Sequence, residues 1–557
     1  MKRVLLISVA GLAMLAACST SDEAESNPPY WSPDYVPPTP PPPAPPPPAM
    51  AEMVTVTGSR LRSADVYGAM APVTNPQQTV DRERYEDVDP NPVLSTVDEP
   101  VSTFSIDVDT ASYSLVRNSL EFGQLPPTDA VRIEEMVNYF DYDYALPSGQ
   151  DEPFATHVTV TPTPWNADTQ LLHIGIQGYE IIPDERPRAN LVFLIDVSGS
   201  MNAPDKLPLA IQAMHMLVDE LEPDDTVALV VYAGAAGAVL EPTAARNARE
   251  IHRALDRLSA GGSTAGGAGL ALAYDLAEQN FDEDAVNRVM LLTDGDFNVG
   301  VTQDERLEDF VARKRESGIY LSVMGFGRGN YNDQMMQTIA QAGNGTAAYI
   351  DSRQEARRML VEESFSALFP IANDVKIQIE FNPARVAEYR LIGYETRLLD
   401  RADFNNDAVD AGEVGSGHAV TAIYEIAAPG SEGVLMDPLR YGGGASVEPD
   451  LAGEFGFLRL RYKRPGEDDS RLIERPITAS DAVSDFGDAP QEARFSIAVA
   501  GFAQRLRGDS YLAEGYDWDA IRQTAAGAVG EDSFGYRAEF LDLVDLAAAA
   551  DAARDKP

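Results

Sequence analysis

The chain has little cysteine, few basic residues and no long apolar run. Cys18 is the single cysteine among 557 residues, so no disulfide can form within the chain. Lys and Arg number 43 against 88 Asp and Glu, and the formal net charge of −45 repels nucleic acid and anionic headgroups. Beyond the first residues no stretch reaches the length of about eighteen uncharged apolar residues that a membrane-spanning helix needs. These absences argue against a nucleic-acid-binding protein, a disulfide-stapled domain and a multi-span membrane protein.

The motifs of common hydrolases are also missing. Neither Ser198 nor Ser200 stands in a Gly-x-Ser-x-Gly turn, and none of the five histidines belongs to a His-Glu-x-x-His helix. We therefore expect a binding protein rather than an enzyme.

The first residues have the layout of an export signal. Lys2 and Arg3 precede a short apolar stretch that ends in Leu-Ala-Ala-Cys at Cys18. This ending resembles the lipobox of bacterial lipoproteins, which implies that residues 1–17 are a signal peptide and that Cys18 carries lipid. Ser19 follows the cysteine, which by the same resemblance implies the outer membrane. We expect lipid to be the only anchor and the protein to face the periplasm, with surface exposure as the alternative.

Proline dominates the segment that follows. Pro37 to Pro48 holds ten prolines in twelve residues, and such a run forms an extended polyproline II rod of roughly 37 Å at ~3.1 Å per residue. We predict that residues 18–94 are a disordered, proline-rich linker.

The most informative fragment is LVFLIDVSGSM, Leu191 to Met201. A buried parallel strand delivers its following side chains to the carboxyl edge of a sheet, where α/β folds bind ligands. Two later segments fit the same edge: the glycine-rich GGSTAGGAGL and the apolar VMLLTDG. Together they offer two carboxylates and three hydroxyls, which suit a hard cation: Asp196, Ser198, Ser200, Thr264 and Asp294.

This set resembles the metal-ion-dependent adhesion site of the von Willebrand factor type A domain. The resemblance implies such a domain over residues 188–370, with an α/β fold built on a doubly wound, mostly parallel, Rossmann-like sheet. The alternation of apolar runs and amphipathic segments favours the same class. We predict its strands at Leu191–Ile195, Thr226–Tyr232, Ala238–Glu241, Arg288–Leu292, Tyr320–Gly325 and Ala347–Ile350.

The family also implies how the site works. Mg²⁺ is the expected ion, with Mn²⁺ or Ca²⁺ as alternatives. Ser198, Ser200 and Thr264 would reach the metal directly, while Asp196 and Asp294 would hold its waters. One coordination position would stay open for a carboxylate from a protein partner.

Two further units flank this domain. Residues 95–187 read as an N-terminal α+β domain, and residues 371–557 as a β-rich C-terminal domain that ends in helices near Pro490–Arg507, Trp518–Ala526 and Tyr536–Ala552. Both resemble the domains that accompany the type A domain in a group of bacterial lipoproteins.

Two other functions stay open. One is a structural envelope scaffold, in which the metal would only stabilise the loops. A metal-dependent hydrolase is the contrasting class, because a strand-end Asp196 also resembles the nucleophile of haloacid dehalogenase phosphatases. Those enzymes need a second acid two residues later, where this chain has Ser198.

Overall fold

The computed structural model describes residues 85, 89–149, 151–181, 186–262, 266–295, 304–328, 332–362, 368–409, 411–437, 451, 453–467 and 469–554. All of these belong to one compact unit, residues 77–557. The predicted signal peptide, Cys18, nearly all of the predicted linker and Thr264 lie outside the described residues. Asn91, which precedes the expected boundary at residue 95, is buried and donates hydrogen bonds to the carbonyls of Leu391 and Gly393.

The described residues before the central domain form four strands and two helices. They are β1 (Leu94–Ser95), β2 (Val101–Ser105), α1 (Ala111–Glu121), α2 (Ile133–Val137), β3 (Phe154–Pro162) and β4 (Gln170–Gly178).

The central domain alternates strand and helix as its pattern predicts. Its strands are β5 (Arg188–Asp196), β6 (Thr226–Tyr232), β7 (Ala236–Ala244), β8 (Ala285–Thr293), β9 (Ile319–Phe326) and β10 (Ala347–Ile350). Its helices are α3 (Leu207–Glu220), α4 (Ala248–Leu255), α5 (Gly266–Gln279), α6 (Asp304–Glu316), α7 (Asp333–Ala342) and α8 (Arg353–Arg357).

These strands form one six-stranded sheet in the order β10-β9-β8-β5-β6-β7. All neighbours run parallel except β7, which lies antiparallel to β6 at the edge. One face packs against α3, α4 and α8, and the other against α5, α6, α7 and also α1 from the preceding segment. Both faces are therefore covered, which explains why the inner strands are continuous apolar runs. The predicted doubly wound, mostly parallel fold is confirmed.

The described residues from 370 onward add six strands and three helices. They are β11 (Pro370–Phe381), β12 (Glu388–Ile392), β13 (Gly412–Gly415), β14 (Ala419–Ala427), β15 (Glu454–Lys463), β16 (Arg471–Thr478), α9 (Gln491–Arg507), α10 (Trp518–Ala526) and α11 (Tyr536–Arg554). The expected C-terminal helices are present, and α9 ends at Gly508, whose φ of 71° suits glycine.

The two flanking segments build their sheets jointly, which differs from the two separate domains that we expected. One antiparallel sheet has the order β1-β12-β14-β4-β3, and β4 pairs with β14 from Gln170 opposite Ile426 to Gln177 opposite Ala419. In the second sheet, β13-β11-β15-β16, β2 also pairs with β11. A hairpin such as β3-β4 is marginal alone, because it leaves its apolar face in water.

The shared core explains this arrangement. The apolar side chains of both sheets pack in one cluster that includes Ile174, Ile176, Ile377 and Tyr424. Full burial of each large apolar side chain contributes about 1.5–3 kcal/mol, and β4 buries its apolar face only when β14 and β11 are in place. A second shared cluster joins α1 and α2 to α9, α10 and α11 through stacked and edge-on aromatic rings. Within the described residues, no helix has the length and apolarity needed to cross a bilayer.

Candidate metal centre

The first predicted ligands lie in the loop that follows β5. Asp196 is the last residue of the strand and is fully buried, because β6 and β8 flank β5 on both sides. Its Oδ1 accepts a hydrogen bond of 2.7 Å from the backbone N–H of Ser198. The hydroxyls of Ser198 and Ser200 lie 2.9 Å apart. The loop therefore holds one carboxylate and two hydroxyls close together in sequence and in space.

Asp294 reaches the same edge from the neighbouring strand. In the parallel pair β5-β8, Ile195 lies opposite Leu292, so Asp196 and Asp294 leave the sheet side by side. Both carboxylates are fully buried. Burial first, and then the nearby charge of Asp294, raises the pKa of Asp196 to about 6, although the hydrogen bonds from Ser198 lower it. The two acids thus repel each other, and a positive charge beside either of them relieves that repulsion.

Lys206 belongs to this site and was not among the predicted residues. It stands directly before α3, is buried, and its Nζ lies 2.8 Å from Asp294 Oδ2. Gly327, with φ of 70°, closes over the lysine stem: a Cβ at this position would overlap Lys206 Cγ. Tyr349 in turn donates a hydrogen bond of 2.9 Å from its hydroxyl to the Gly327 carbonyl. The lysine is held in place by this packing.

Thr264 lies outside the described residues, but the chain just before it is fixed to the serine loop. Gly261 donates a backbone hydrogen bond of 2.7 Å to the Val197 carbonyl, and Gly199 donates one of 3.1 Å to the Gly262 carbonyl. Of the five predicted ligands, the structure places Asp196, Ser198, Ser200 and Asp294 at one edge of the sheet.

The chemistry of these groups fits a hard divalent cation. Asp196 Oδ2 is buried and accepts no hydrogen bond of ordinary geometry from the residues that the structure describes, although the Tyr232 hydroxyl acts on this carboxylate and lowers its pKa. A buried oxygen without a donor is costly, and a metal ion or its water would satisfy it. Oxygen-only donors match the preference of Mg²⁺. Within the described ranges, no three His, Cys, Asp or Glu side chains gather as metal ligands, so hydroxyls have to contribute here.

Comparison with known proteins supports this reading of the chain. Family models match residues 79–173 (von Willebrand factor), 190–363 (von Willebrand factor type A domain) and 366–550 (uncharacterized protein YfbK, C-terminal). The uncharacterized protein YfbK of Escherichia coli strain K12 is 44% identical over 472 residues, which cover 83% of this chain and 81% of that protein. The chain belongs to the YfbK family. This YfbK-family protein therefore has a type A domain between two flanking segments, and the four predicted ligands that the structure describes lie within that domain.

Other similarities are shorter or more distant. The uncharacterized protein sll0103 of Synechocystis is 32% identical over 185 residues, which cover 33% of this YfbK-family chain and 43% of that protein. A solved structure of a von Willebrand factor type A protein from Catenulispora acidiphila is 17% identical, with a TM-score of 0.40, and covers 72% of this chain and 91% of that one.

Proposed function

We propose that this protein is a lipid-anchored envelope protein whose type A domain binds a protein partner through a Mg²⁺-bridged carboxylate. The observation that carries the proposal is the pair of fully buried acids, Asp196 and Asp294, at adjacent strand ends beside the Ser198 and Ser200 hydroxyls. A type A domain supports a protein-interaction or adhesion role in general.

Each side chain has a task that follows from its position. Ser198 and Ser200 would offer their hydroxyls to the ion together with Thr264, and Asp196 and Asp294 would orient its waters. Once bound, Mg²⁺ would supply an electron-poor coordination position that accepts a carboxylate from the partner. The rigid strand ends keep the ligands preorganised, which lowers the entropy cost of binding the ion.

The anchor and location remain part of the proposal. Cys18 would carry the lipid in the outer membrane, and the proline-rich segment would hold the folded unit away from the bilayer. The protein would face the periplasm.

The first test is metal uptake by the full chain. Calorimetry with MgCl₂ should detect one ion per chain, and Asp196→Asn and Asp294→Asn should abolish its uptake. Asp309→Asn, which changes an exposed acid of α6 in the same domain, is the matched control and should bind as wild type does.

The second test is partner capture in the native envelope. A photo-crosslinker placed beside the serine loop should attach a protein in the presence of Mg²⁺, lose it with chelator, and lose it again when the partner's acidic residue is replaced. If capture ignores both chelator and Asp294→Asn while the melting temperature drops, the ion is only structural.

A further inference from the structure

Two histidines on the helical side of the central domain point their Nδ1 atoms at each other. His215 belongs to α3 and His252 to α4, and their Nδ1 atoms are 2.6 Å apart. The rings are tilted by 31° with centroids 4.8 Å apart. Their side chains are 28% and 25% exposed, so solutes in water reach this pair.

The outer nitrogen of each ring faces a carboxylate from the opposite helix. His215 Nε2 lies 3.2 Å from Asp256 Oδ1, and His252 Nε2 lies 3.1 Å from Asp219 Oδ1. These reciprocal contacts arise because each helix has a histidine followed four residues later by an aspartate: HMLVD in α3, and HRALD in α4 with its cap. Residues four apart share one face of a helix, so two helices with the same pattern place four side chains in one row.

This arrangement brings two lone pairs together. A neutral ring that donates its Nε2–H to a carboxylate leaves a lone pair on Nδ1. With both rings oriented this way, two lone pairs face each other across 2.6 Å. A proton on one Nδ1 or a metal ion bound by both nitrogens would remove that repulsion.

We propose that His215 and His252 form a second metal site, specific for a borderline transition ion such as Zn²⁺ and separate from the oxygen-lined Mg²⁺ site. Imidazole nitrogen suits zinc, copper and nickel, whereas Mg²⁺ prefers oxygen. Histidine ligands almost always donate their other ring N–H to a carboxylate, a backbone carbonyl or water, which fixes the ring and raises its basicity. Asp256 and Asp219 occupy that position on both rings.

The geometry needs only a small adjustment. Zinc–nitrogen bonds are about 2.0–2.1 Å long. With an N–Zn–N angle between about 90° and the tetrahedral value, the two nitrogens lie about 2.9–3.4 Å apart. The rings therefore have to separate by less than about 1 Å, which rotation about their own χ angles supplies. No three His, Cys, Asp or Glu side chains among the described residues already surround one point, so water would complete the coordination.

The experiment uses the full chain without a histidine tag, in millimolar Mg²⁺ that occupies the oxygen site and the acidic surface. Calorimetry with ZnCl₂ should detect one ion per chain. The double variant His215→Ala/His252→Ala should lose that uptake, while Asp219→Asn and Asp256→Asn should each weaken it about 10- to 100-fold. His157→Ala, a partly buried histidine in β3, is the matched control and should keep wild-type affinity.

A measurement on the wild-type protein does not depend on whether the variants fold. One equivalent of Cu²⁺ added to wild type should give an electron paramagnetic resonance spectrum with hyperfine coupling to two nitrogens. Uptake of zinc that is unchanged in the double variant, or no uptake and no nitrogen coupling in wild type, overturns the proposal and leaves a shared proton only. Asp196→Asn should keep its zinc uptake, so failure of the Mg²⁺ site is distinguished from failure of this one.

Discussion

Arg117 of α1 is a side chain whose loss should strongly destabilise the fold. Its guanidinium is 3% exposed and contacts groups from three parts of the chain. Nη2 lies 2.6 Å from Asp351 and 2.7 Å from Glu355, both of the central domain, while Nη1 lies 3.0 Å from Glu539 of α11. Nη1 also donates a hydrogen bond of 2.9 Å to the Tyr139 hydroxyl. One cation thus joins the first segment, the central domain and the last helix.

The expected loss of stability follows from the buried acids that remain when Arg117 is removed. Asp351 and Glu355 are 4% and 1% exposed, so water cannot replace the arginine. Burial raises the pKa of Glu355, but the charges of Arg358 and Arg117 outweigh it and the net pKa is lowered. Arg358 keeps its contact of 3.0 Å with Glu355 after the change. Asp351 and Glu539 both lose Arg117, and Asp351 is the more buried of the two, at 4% against 22% exposed. Breaking a buried pair from one side costs about 3–5 kcal/mol.

The assay is urea unfolding of Arg117→Met, which preserves the volume of the stem, followed by circular dichroism. The free energy of unfolding should drop by about 3–5 kcal/mol. Arg522→Met is the control: Arg522 pairs with Asp545 at 2.7 Å, but the side chains are 43% and 55% exposed, and such a pair contributes at most about 1 kcal/mol. If Arg117→Met loses less than about 1 kcal/mol, or no more than the control, the reasoning about buried pairs in this fold is wrong.

Three further changes have defined outcomes. Burial raises the pKa of Glu134 to about 8 from an ordinary 4.5. The folded protein therefore holds this proton more tightly than the unfolded chain, and the stability that it contributes is lost as the pH rises through that window. Between pH 6 and pH 9 the free energy of unfolding of wild type, measured by urea unfolding, should fall by roughly 2 kcal/mol more than that of Glu134→Gln. Lys206→Met removes the positive charge 2.8 Å from Asp294 and should tighten Mg²⁺ binding in calorimetry, because a like charge no longer opposes the ion; weaker binding would show that the lysine positions Asp294. Gly327→Ala places a Cβ at a positive φ and in overlap with the lysine stem, so the melting temperature should fall. A melting temperature equal to that of wild type would contradict that packing.

The central domain could be predicted from sequence because its signals are local. Buried parallel strands read as continuous apolar runs. β5 ends in Asp196 and β8 is followed directly by Asp294, and the sheet brings both to one edge. The shared sandwich could not be predicted in the same way. The alternation of apolar and polar residues in β4 indicates a strand, but it does not identify β14, some 250 residues later, as the neighbouring strand. The two flanking segments therefore looked like separate domains.

Lys206 was missed for a related reason. Lysine is rarely buried unless it is paired, and its partner Asp294 lies 88 residues away in sequence. The available signal was its position, immediately before the apolar pattern of α3 and six residues after Ser200. A helix that packs against the sheet beside a strand-end acid brings its first residues close to that acid. A single lysine there indicates a charge partner for a buried carboxylate.

The central domain is joined to the rest of the chain at the sheet edge opposite the proposed metal centre. Arg186, just before β5, lies over the ring of Phe369, just before β11, at 5.2 Å, so the chain enters and leaves at one place. Arg186 also binds Asp225 at 2.6 Å, at the start of β6. Because β5 and β6 are parallel, their starts and ends lie at opposite edges. Asp196 and Asp294 therefore face away from the junction.

One side of the metal centre is nevertheless bordered by the flanking unit. Arg328 follows β9 at the metal edge and stacks on Phe122 at the end of α1, 3.3 Å from the ring centre. Asp351, which follows β10 at the same edge, holds Arg117 of the same helix. A partner whose carboxylate reached the ion would thus meet α1 as well as the loops of the central domain. This contact supplies a physical reason for the flanking segments to fold around the domain: they would add side chains to the surface that selects the partner, beyond the carboxylate that any such site would accept.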